Sequence, residues 1–336
     1  MRKSAKGPPV LVAVTLLGAA AASGLTVNGQ TPVLSRQGGD GTAHVRSFKV
    51  QGSVYMLVGS GANITVQVGD DGVLVIDTQS PAVADELLAE IRRIAGTKPI
   101  RYVINTSADA DHIGGNEQVR RAGQAIVAGN VLGDVRDTGA ALIAHEKAFN
   151  RMLKPPAGQP PVPVAGQPTE TFFGDGDELF FNSEAIQLVH IPAAHTDGDL
   201  MAFFRKSDVI STGDIFVTNG YPVIDEASAG TINGVIAGLN RIIAITIPRD
   251  KEEGGTMVIP GHGRICDEAD VVEYRDMVTI IRDRVREMIA KKMTIEHVRA
   301  AKPTSDYDGR FGATAGPWTT DQFVEAVYRT LPGDKR

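Results

Sequence analysis

Two blocks of short β-strand patterns, each followed by a helical pattern, constrain the fold of this chain most strongly. In the first block, apolar and β-branched runs alternate with Gly and Asp over residues 48–76. The second block covers residues 170–211, and helical repeats of apolar residues follow the two blocks at 82–94 and 232–245. A sheet must bury one face against another layer, so we expect two sheets packed face to face with helices outside. The pattern therefore predicts a four-layer α/β sandwich.

The segment between the two blocks is predicted to be a helix followed by a loop. Residues 138–152 show a helical pattern, and residues 155–168 are rich in Pro and Gly. The Pro/Gly segment is too short to link two domains, so we expect it to cover or border a cleft.

Length and charge favour one main folded domain. A chain of 336 residues, of which 42% are hydrophobic and 22% charged, can bury a full core. We expect this domain over residues 45–300, with residues 301–336 as a helical extension of it. The 34 Lys and Arg residues face 40 Asp and Glu residues, and no basic patch stands out in the sequence. We therefore expect a small-molecule substrate and no nucleic-acid partner, while the oligomeric state stays open.

The start of the sequence matches an export signal. Arg2, Lys3 and Lys6 form a positive start, and an apolar run over residues 10–22 ends in small residues. This order is typical of a secretory signal peptide, so we assign residues 1–30 to a signal peptide and disordered start. We expect a periplasmic or secreted protein with no stable membrane insertion after signal cleavage. An uncleaved anchor is the alternative, although the apolar run is short for a membrane-spanning helix.

A polar segment with several metal-ligating side chains directly follows a predicted strand. The strand is predicted at residues 100–104, and Ser107, Asp109, Asp111 and His112 fall within the next eight residues. Metal sites often take ligands from strand-to-loop junctions, because the strand fixes the loop while the loop lets side chains converge. The segment therefore predicts a metal site at the end of this strand.

This segment resembles the His-x-His-x-Asp-His-x-x-Gly-Gly motif of the metallo-β-lactamase superfamily. Three further motifs of that family have counterparts in the correct order: His195 in Pro-Ala-Ala-His-Thr-Asp-Gly-Asp, Asp214 in Thr-Gly-Asp, and His262 in Pro-Gly-His-Gly. Asp77 in Val-Ile-Asp-Thr is similar to an early Asp of the family's scaffold. The resemblance covers residues 48–265 and implies the four-layer αββα metallo-β-lactamase sandwich with a metal centre.

The chain departs from the family at the first motif, where Ser107 and Asp109 stand in place of two histidines. In the family those histidines and the third-motif histidine hold one metal, so His195 remains here, with Asp109 as a carboxylate substitute. The ligands of the family's second metal are all present. The resemblance implies this set of candidate ligands, in which Asp214 can bridge: Asp109, Asp111, His112, His195, Asp214 and His262.

Three states of the metal centre stay open. One is a single Zn²⁺ at the second position, another a dinuclear site with carboxylate-ligated Fe, Mn or Zn in the first position, and the third a weak, largely inactive site. Flavodiiron proteins, a redox branch of the superfamily, also place a carboxylate at the second position of the first motif. The residues after the motifs show no pattern of a flavin-binding domain, which argues against that activity.

The resemblance implies an exported metal-dependent hydrolase that uses metal-bound hydroxide on an ester, thioester, lactone or amide bond, a β-lactam being one candidate. On this interpretation Asp111 ligates the metal and orients the nucleophile, and Asp109 can act as a general base. One alternative is a catalytically impaired binding or accessory protein, which Ser107 and Asp109 support. Another is an iron-dependent redox enzyme of the same fold, such as a persulfide dioxygenase, because the Asp109 carboxylate suits iron.

Overall fold

A computed structural model describes residues 44–126, 139–155, 160–251 and 254–331 of the chain. The predicted signal peptide at residues 1–30 lies outside these ranges and stays a prediction. None of the helices in these ranges is both long and apolar enough to cross a membrane.

Within the described residues, the first sheet has seven strands that lie side by side in chain order. They are β1 (Arg46–Gln51), β2 (Val54–Val58), β3 (Ile64–Gly69), β4 (Gly72–Ile76), β5 (Ile100–Ile104), β6 (Ala141–His145) and β7 (Glu170–Phe172). Neighbouring strands from β1 to β4 are antiparallel, whereas those from β4 to β7 are parallel. All residues of β4 are buried, as expected for a central strand covered on both faces.

Helices connect the parallel strands of the first sheet. Those described in this half are α1 (Ala84–Ala95), α2 (Ala110–Ile113), α3 (Asn116–Arg121) and α4 (Glu146–Leu153). Helix α1 buries Leu87, Leu88 and Ile91, which recur at helical spacing, and its opposite face is charged. The amphipathic pattern therefore places α1 as an outer layer on the sheet.

The second sheet has five strands in the described part of the chain. They are β8 (Gly176–Phe181), β9 (Glu184–Ile191), β10 (Asp199–Phe204), β11 (Val209–Ser211) and β12 (Met257–Ile259). Their spatial order is β12-β11-β10-β9-β8, and all neighbours are antiparallel except β11 and β12, which are parallel. The helices described in this half are α5 (Ile232–Ile245), α6 (Glu268–Ala290), α7 (Ile295–Ala300), α8 (Asp308–Phe311) and α9 (Thr320–Thr330).

Three hydrophobic clusters show how the layers stack. One joins the inner faces of the two sheets and includes Leu74, Ile104, Leu188 and Phe204. A second lies between the first sheet and α1, and a third lies between the second sheet and α5, α6 and α9. The order helix, sheet, sheet, helix confirms the predicted αββα sandwich.

The residues after position 300 pack into the core of the second half. Phe311 of α8 and Phe323 and Val327 of α9 belong to the cluster that contains Tyr274 of α6. Burying a large apolar side chain contributes roughly 2 kcal/mol, so these contacts tie the C-terminal helices firmly to the second sheet and its helices. The boundaries at residues 45 and 300 stay predictions.

The prediction of a helix over residues 138–152 is wrong for residues 141–145. Residues 141–145 form β6, which pairs in parallel with β5 and β7 inside the first sheet. A short apolar run such as Ala-Leu-Ile-Ala fits a buried strand as well as a helix, so pairing within the sheet decides its conformation. His145 marks the change, because its Nδ1 accepts a hydrogen bond of 3.3 Å from the backbone N–H of Lys147 at the start of α4.

Candidate metal centre

Each candidate ligand lies in a segment that follows the carboxyl end of a strand. The segment after β5 carries Asp109, Asp111 and His112, and the segment after β9 carries His195. The segment after β11 carries Asp214, and the segment after β12 carries His262. Because a strand holds the start of each segment, the backbone fixes where each side chain begins.

Asp111, His112 and His262 converge on one point together with Asp214, and we call these four residues the second metal position. The ligand atoms of the first three lie within 4.8 Å of one another. Asp214 Oδ1 lies 3.4 Å from His112 Nε2 and 3.5 Å from His262 Nε2. Asp111 Oδ2 lies 3.3 Å from His262 Nε2. The four side chains thus form a compact set of two imidazoles and two carboxylates.

Two buried atoms of the second metal position have no hydrogen-bond partner among the described residues, namely His112 Nε2 and Asp214 Oδ1. Buried polar atoms are nearly always partnered, so this facing nitrogen and oxygen call for a further group between them. Zinc takes His nitrogen and Asp oxygen ligands in compact four-coordinate sites. The residues present therefore fit a divalent metal ion at this position.

Asp77 orients His112 from the side away from the other ligands. His112 Nδ1 donates to Asp77 Oδ2 over 2.8 Å. Thr106 in turn donates to the two carboxylate oxygens of Asp77, through its backbone N–H at 2.8 Å and its hydroxyl at 2.6 Å. Because the proton is held on Nδ1, the lone pair on His112 Nε2 is free for a metal. Asp77, the residue similar to an early Asp of the family's scaffold, is thus a positioning residue for the candidate ligand His112.

Asp109 and His195, which with Ser107 form the first metal position, pair with each other. Asp109 Oδ2 lies 3.0 Å from His195 Nε2, and His195 Nδ1 donates to the backbone carbonyl of Val223 over 3.0 Å. Ser107 is buried, and its Oγ accepts a hydrogen bond of 3.2 Å from the backbone N–H of Asp109. Asp109 and His195 thus contact each other and lie outside the group of three side chains whose ligand atoms the structure brings within 4.8 Å of one another.

Charge controls the protonation of the first metal position. Burial by itself would raise the pKa of Asp109, but the hydrogen bond and charge of His195 outweigh it and lower that pKa to about 2. Burial by itself would lower the pKa of His195, but Asp109 raises it to about 10. Without metal, the pair is therefore a carboxylate and an imidazolium at neutral pH.

The second metal position is also highly charged without metal. Burial opposes ionisation of Asp214, yet the charge of His112 holds the pKa of Asp214 well below its usual range. Burial likewise opposes charging of His112, yet Asp214 and Asp77 raise the pKa of His112 well above its usual value. A metal cation would replace these imidazolium protons, so metal binding at this position should release protons.

Gly261 leaves the space that Asp214 needs. A Cβ atom at position 261 would collide with Asp214 Oδ1 and would lie 2.6 Å from the carbonyl carbon of Gly213. A larger side chain would therefore displace the Asp214 carboxylate or the backbone beside it. The Pro-Gly-His motif thus supplies room for one ligand as well as the imidazole of another.

Two buried polar groups near the site were not predicted from the sequence. Asp199 accepts hydrogen bonds from the backbone N–H and the hydroxyl of Thr196, at 2.8 and 2.6 Å, and so closes the turn after His195. Asn105 and Asn116 exchange amide hydrogen bonds of 3.0 and 2.8 Å, which tie together the two ends of the ligand-bearing segment. The Thr-x-x-Asp spacing could have indicated the first group, because such pairs often close turns.

Comparison with known proteins places this fold and this site in one family. The family model described as the metallo-beta-lactamase superfamily matches residues 57–266, which is more than half of the chain. A comparison with curated proteins finds no match.

Several solved structures are similar at low sequence identity. The stereoselective inverting sec-alkylsulfatase Pisa1 from Pseudomonas sp. has a TM-score of 0.60 and 15% identity, over 87% of this chain and 50% of its own. The DIM-1 metallo-β-lactamase has a TM-score of 0.51 and 17% identity, over 70% of this chain and 97% of its own. A metallo-β-lactamase from Pontibacter korlensis has a TM-score of 0.51 and 13% identity, over 70% of this chain and 99% of its own.

The chain thus spans about half the length of the sulfatase and nearly the whole length of the two lactamases. At these identities the structural likeness shows the fold alone, whereas the family model also covers the segments of all the candidate ligands. The protein belongs to the metallo-β-lactamase superfamily.

Proposed function

We propose that this protein is a metal-dependent hydrolase with one zinc ion held by Asp111, His112 and His262 and completed by Asp214. The observation that carries the proposal is the unpartnered His112 Nε2, which faces the unpartnered Asp214 Oδ1. Both atoms are buried, so a cation is the group that satisfies them together. Membership of the superfamily, and similar structures named as a sulfatase and as β-lactamases, support hydrolysis as the reaction class.

A single metal ion is proposed because the first metal position already satisfies its own charges. A metal there would have to break the hydrogen bond between Asp109 and His195. It would then gain one carboxylate and one imidazole, with the Ser107 hydroxyl as a poor third ligand. The second metal position offers two imidazoles and two carboxylates, a set that suits zinc.

A divalent metal at the second position, when bound, lowers the pKa of water and polarises the bond under attack. Asp111 has the more accessible of the two ligand carboxylates, with a side chain 45% exposed against 11% for Asp214. Asp111 is therefore placed to ligate and also to accept a hydrogen bond from the attacking water. Asp214, whose side chain is more deeply buried, contributes a ligand atom and a negative charge.

Asp109 is proposed to orient the attacking water. Its side chain is 38% exposed, so water can reach it, while His195 holds one of its oxygens. A general base works best when its pKa is close to the working pH, and the pKa of Asp109 is about 2. Asp109 is thus better suited to accepting a hydrogen bond than to removing a proton.

The proposal also covers the type of bond that is hydrolysed and the location of the protein. We propose an ester, thioester, lactone or amide bond, β-lactams included, because the fold and the metal chemistry are common to these reactions. We also propose export to the periplasm or the exterior, which the signal-like residues 1–30 support.

Turnover with and without zinc tests the proposed function. The protein is stripped with a chelator, assayed on esters, thioesters, lactones and β-lactams, and assayed again after zinc is added. We expect turnover that requires zinc and falls at least about 100-fold in His262→Ala, since a ligand contributes more than the residues that support it. Asp85→Ala, an exposed carboxylate in the first turn of α1, is the matched control. Equal turnover before and after zinc, or none by protein shown to hold zinc, would contradict the proposal.

A further inference from the structure

A cavity of about 640 Å³ opens beside the metal centre. Asp109 and Thr196, the residue after His195, form part of its wall, so the cavity adjoins the first metal position. Its volume lies in the range of roughly 300 to 1,000 Å³ that is usual for sites enclosing a small organic molecule. We call it the proline pocket, because one side of it is lined by Pro155, Pro160, Pro161 and Pro163.

The wall of the proline pocket is mainly apolar and is anchored to the fold. Ile113, Met152 and Val162 line it together with the prolines. The backbone N–H of Val162 donates to the carbonyl of Met152 over 3.0 Å, and Asn116 donates to the carbonyl of Gly166 over 3.0 Å. Proline also fixes its own φ, so the described residues of this wall have fewer conformations open to them. The described part of the Pro/Gly segment therefore borders a cleft, as its sequence predicts.

Arg151 is the one cation among the described residues that line the proline pocket, and it is already neutralised. Its Nη2 donates to the carboxylate of Asp197 and, over 2.6 Å, to the backbone carbonyl of Ser228. The charge of this arginine is thus used to join two loops of the protein. Its Nη1 is buried and has no hydrogen-bond partner among the described residues, so this one donor is left for a polar atom of a ligand, such as a neutral carbonyl oxygen.

The other charged side chains of the wall are carboxylates. Asp109 is paired with His195, and Glu117 lies 2.7 Å from Arg121. Asp225 accepts a hydrogen bond of 3.2 Å from a backbone N–H. An anion in the pocket would therefore meet like charges, and a cation would have to leave water for a mainly apolar wall. This distribution of charge favours an uncharged ligand.

We infer that the proline pocket holds an uncharged, apolar acyl or alkyl group of the substrate, next to the bond attacked at the metal centre. The inference rests on the proposed hydrolase function and narrows it to esters, thioesters, lactones or amides that carry such a group. β-Lactam antibiotics carry a carboxylate close to the amide bond, so they are expected to be poor ligands.

Ligand binding to the metal-free protein tests this inference without relying on turnover. Methyl 2-naphthoate, the 2-naphthoate anion and the 2-naphthylmethylammonium cation share one ring system and differ in charge. Each competes with the neutral fluorescent probe N-phenyl-1-naphthylamine. We expect the neutral ester to bind at least about tenfold more tightly than either ion, because the ions lose hydration in the apolar pocket.

A matched pair of variants places the binding within the pocket. Val162→Asp puts a carboxylate into the wall, and Val164→Asp makes the same change at a side chain that is 82% exposed and lies outside the lining. We expect Val162→Asp to weaken probe binding at least about tenfold and Val164→Asp to leave it unchanged. Pro161→Asp, at an exposed position of the same wall, is a second variant with the same expected loss.

Several outcomes would overturn the inference. These are an absence of probe binding, binding of either ion as tight as that of the ester, or equal losses in Val162→Asp and Val164→Asp. The expected binding without any ester turnover by the zinc-loaded protein would support the pocket and contradict the hydrolase. Zinc-dependent turnover that shows no preference for apolar esters would support the hydrolase and overturn the assignment of the pocket.

Discussion

The Nε2 atom of His195 lies 3.0 Å from Oδ2 of Asp109, so two residues that are 86 positions apart form an ion pair at the edge of the metal centre. The family resemblance makes His195 a ligand of the first metal position, but Asp109 gives it a carboxylate partner instead. A carboxylate and an imidazolium neutralise each other, so the pair does not require a cation. In the second metal position, by contrast, His112 Nε2 and Asp214 Oδ1 are buried and have no hydrogen-bond partner among the described residues. On this ground we propose that the two positions differ in their need for metal.

Replacing Asp77 with Asn should weaken zinc binding about 10- to 100-fold. The amide has the size of the carboxylate but no charge to hold the proton on His112 Nδ1, so His112 Nε2 becomes a poorer ligand. Competition with a chromophoric zinc chelator measures the change. Asp85→Asn on the exposed side of α1 serves as control, and equal zinc affinities of the two variants would rule out this role for Asp77.

Replacing Gly261 with Ala should lower the free energy of unfolding by roughly 1 to 3 kcal/mol and should also reduce zinc binding. The added Cβ collides with Asp214 Oδ1, so the carboxylate or the backbone must move. Gly309→Ala is the control, because nothing lies within 4 Å of a Cβ added there. Denaturant unfolding followed by zinc titration measures both effects. Wild-type zinc affinity in Gly261→Ala would show that Asp214 does not depend on this space.

The stability of the metal-free protein should fall as the pH rises from about 6.5 to about 10. The pKa of His195 is raised from 6.5 to about 10 in the folded state, so its contribution is complete below pH 6.5 and is lost as the pH passes 10. The pKa of Asp109 is lowered from 3.8 to about 2, so its contribution is present above pH 3.8 and is lost as the pH falls through 2. Urea unfolding followed from about pH 2 to about pH 10 measures both losses.

Asp109→Asn is the variant that tests this assignment of the pH dependence. It removes the carboxylate partner of His195, so the loss of stability between pH 6.5 and 10 should become smaller than in the wild type. The remaining slope belongs to the other histidines of the centre, among them His112 and His262, whose pKa values are also raised. A slope as steep as in the wild type would mean that the ion pair does not stabilise the fold.

The double change Ser107→His with Asp109→His should raise zinc content from about one to about two equivalents, since three imidazoles then surround the first metal position. Ser107 is buried, so circular dichroism must first show that the variant folds. A folded variant that holds no more zinc than the wild type would show that these two residues do not limit occupancy.

Most elements of the fold could be predicted from local patterns, whereas β6 could not. Strands such as β5 and helices such as α5 have the predicted bounds, because their apolar periods are clear and turn residues flank them. The segment at β6 was predicted to be helical, because Ala-Leu-Ile-Ala has no period that separates strand from helix. Its conformation depends on pairing with β5 and β7, which lie far away in the sequence.

The candidate ligands could be named from motifs, but their partners could not. Whether Asp109 ligates a metal or pairs with His195 depends on how closely the segments after β5 and β9 approach, and no local pattern contains that distance. The same holds for His112 and Asp77, which form a hydrogen bond although they are 35 positions apart in the sequence. Long-range geometry therefore decides which of the candidate ligands pair with one another.

Elemental analysis of the purified protein, prepared without added metal, tests the single-metal claim most directly. We predict about one zinc per chain in the wild type and in Asp109→Asn, and a small fraction of that in Asp111→Ala, which loses a ligand of the second metal position. Two metal ions per wild-type chain, or a loss in Asp109→Asn as large as that in Asp111→Ala, would contradict the claim. So would a wild-type protein that holds no metal and binds none when zinc is supplied.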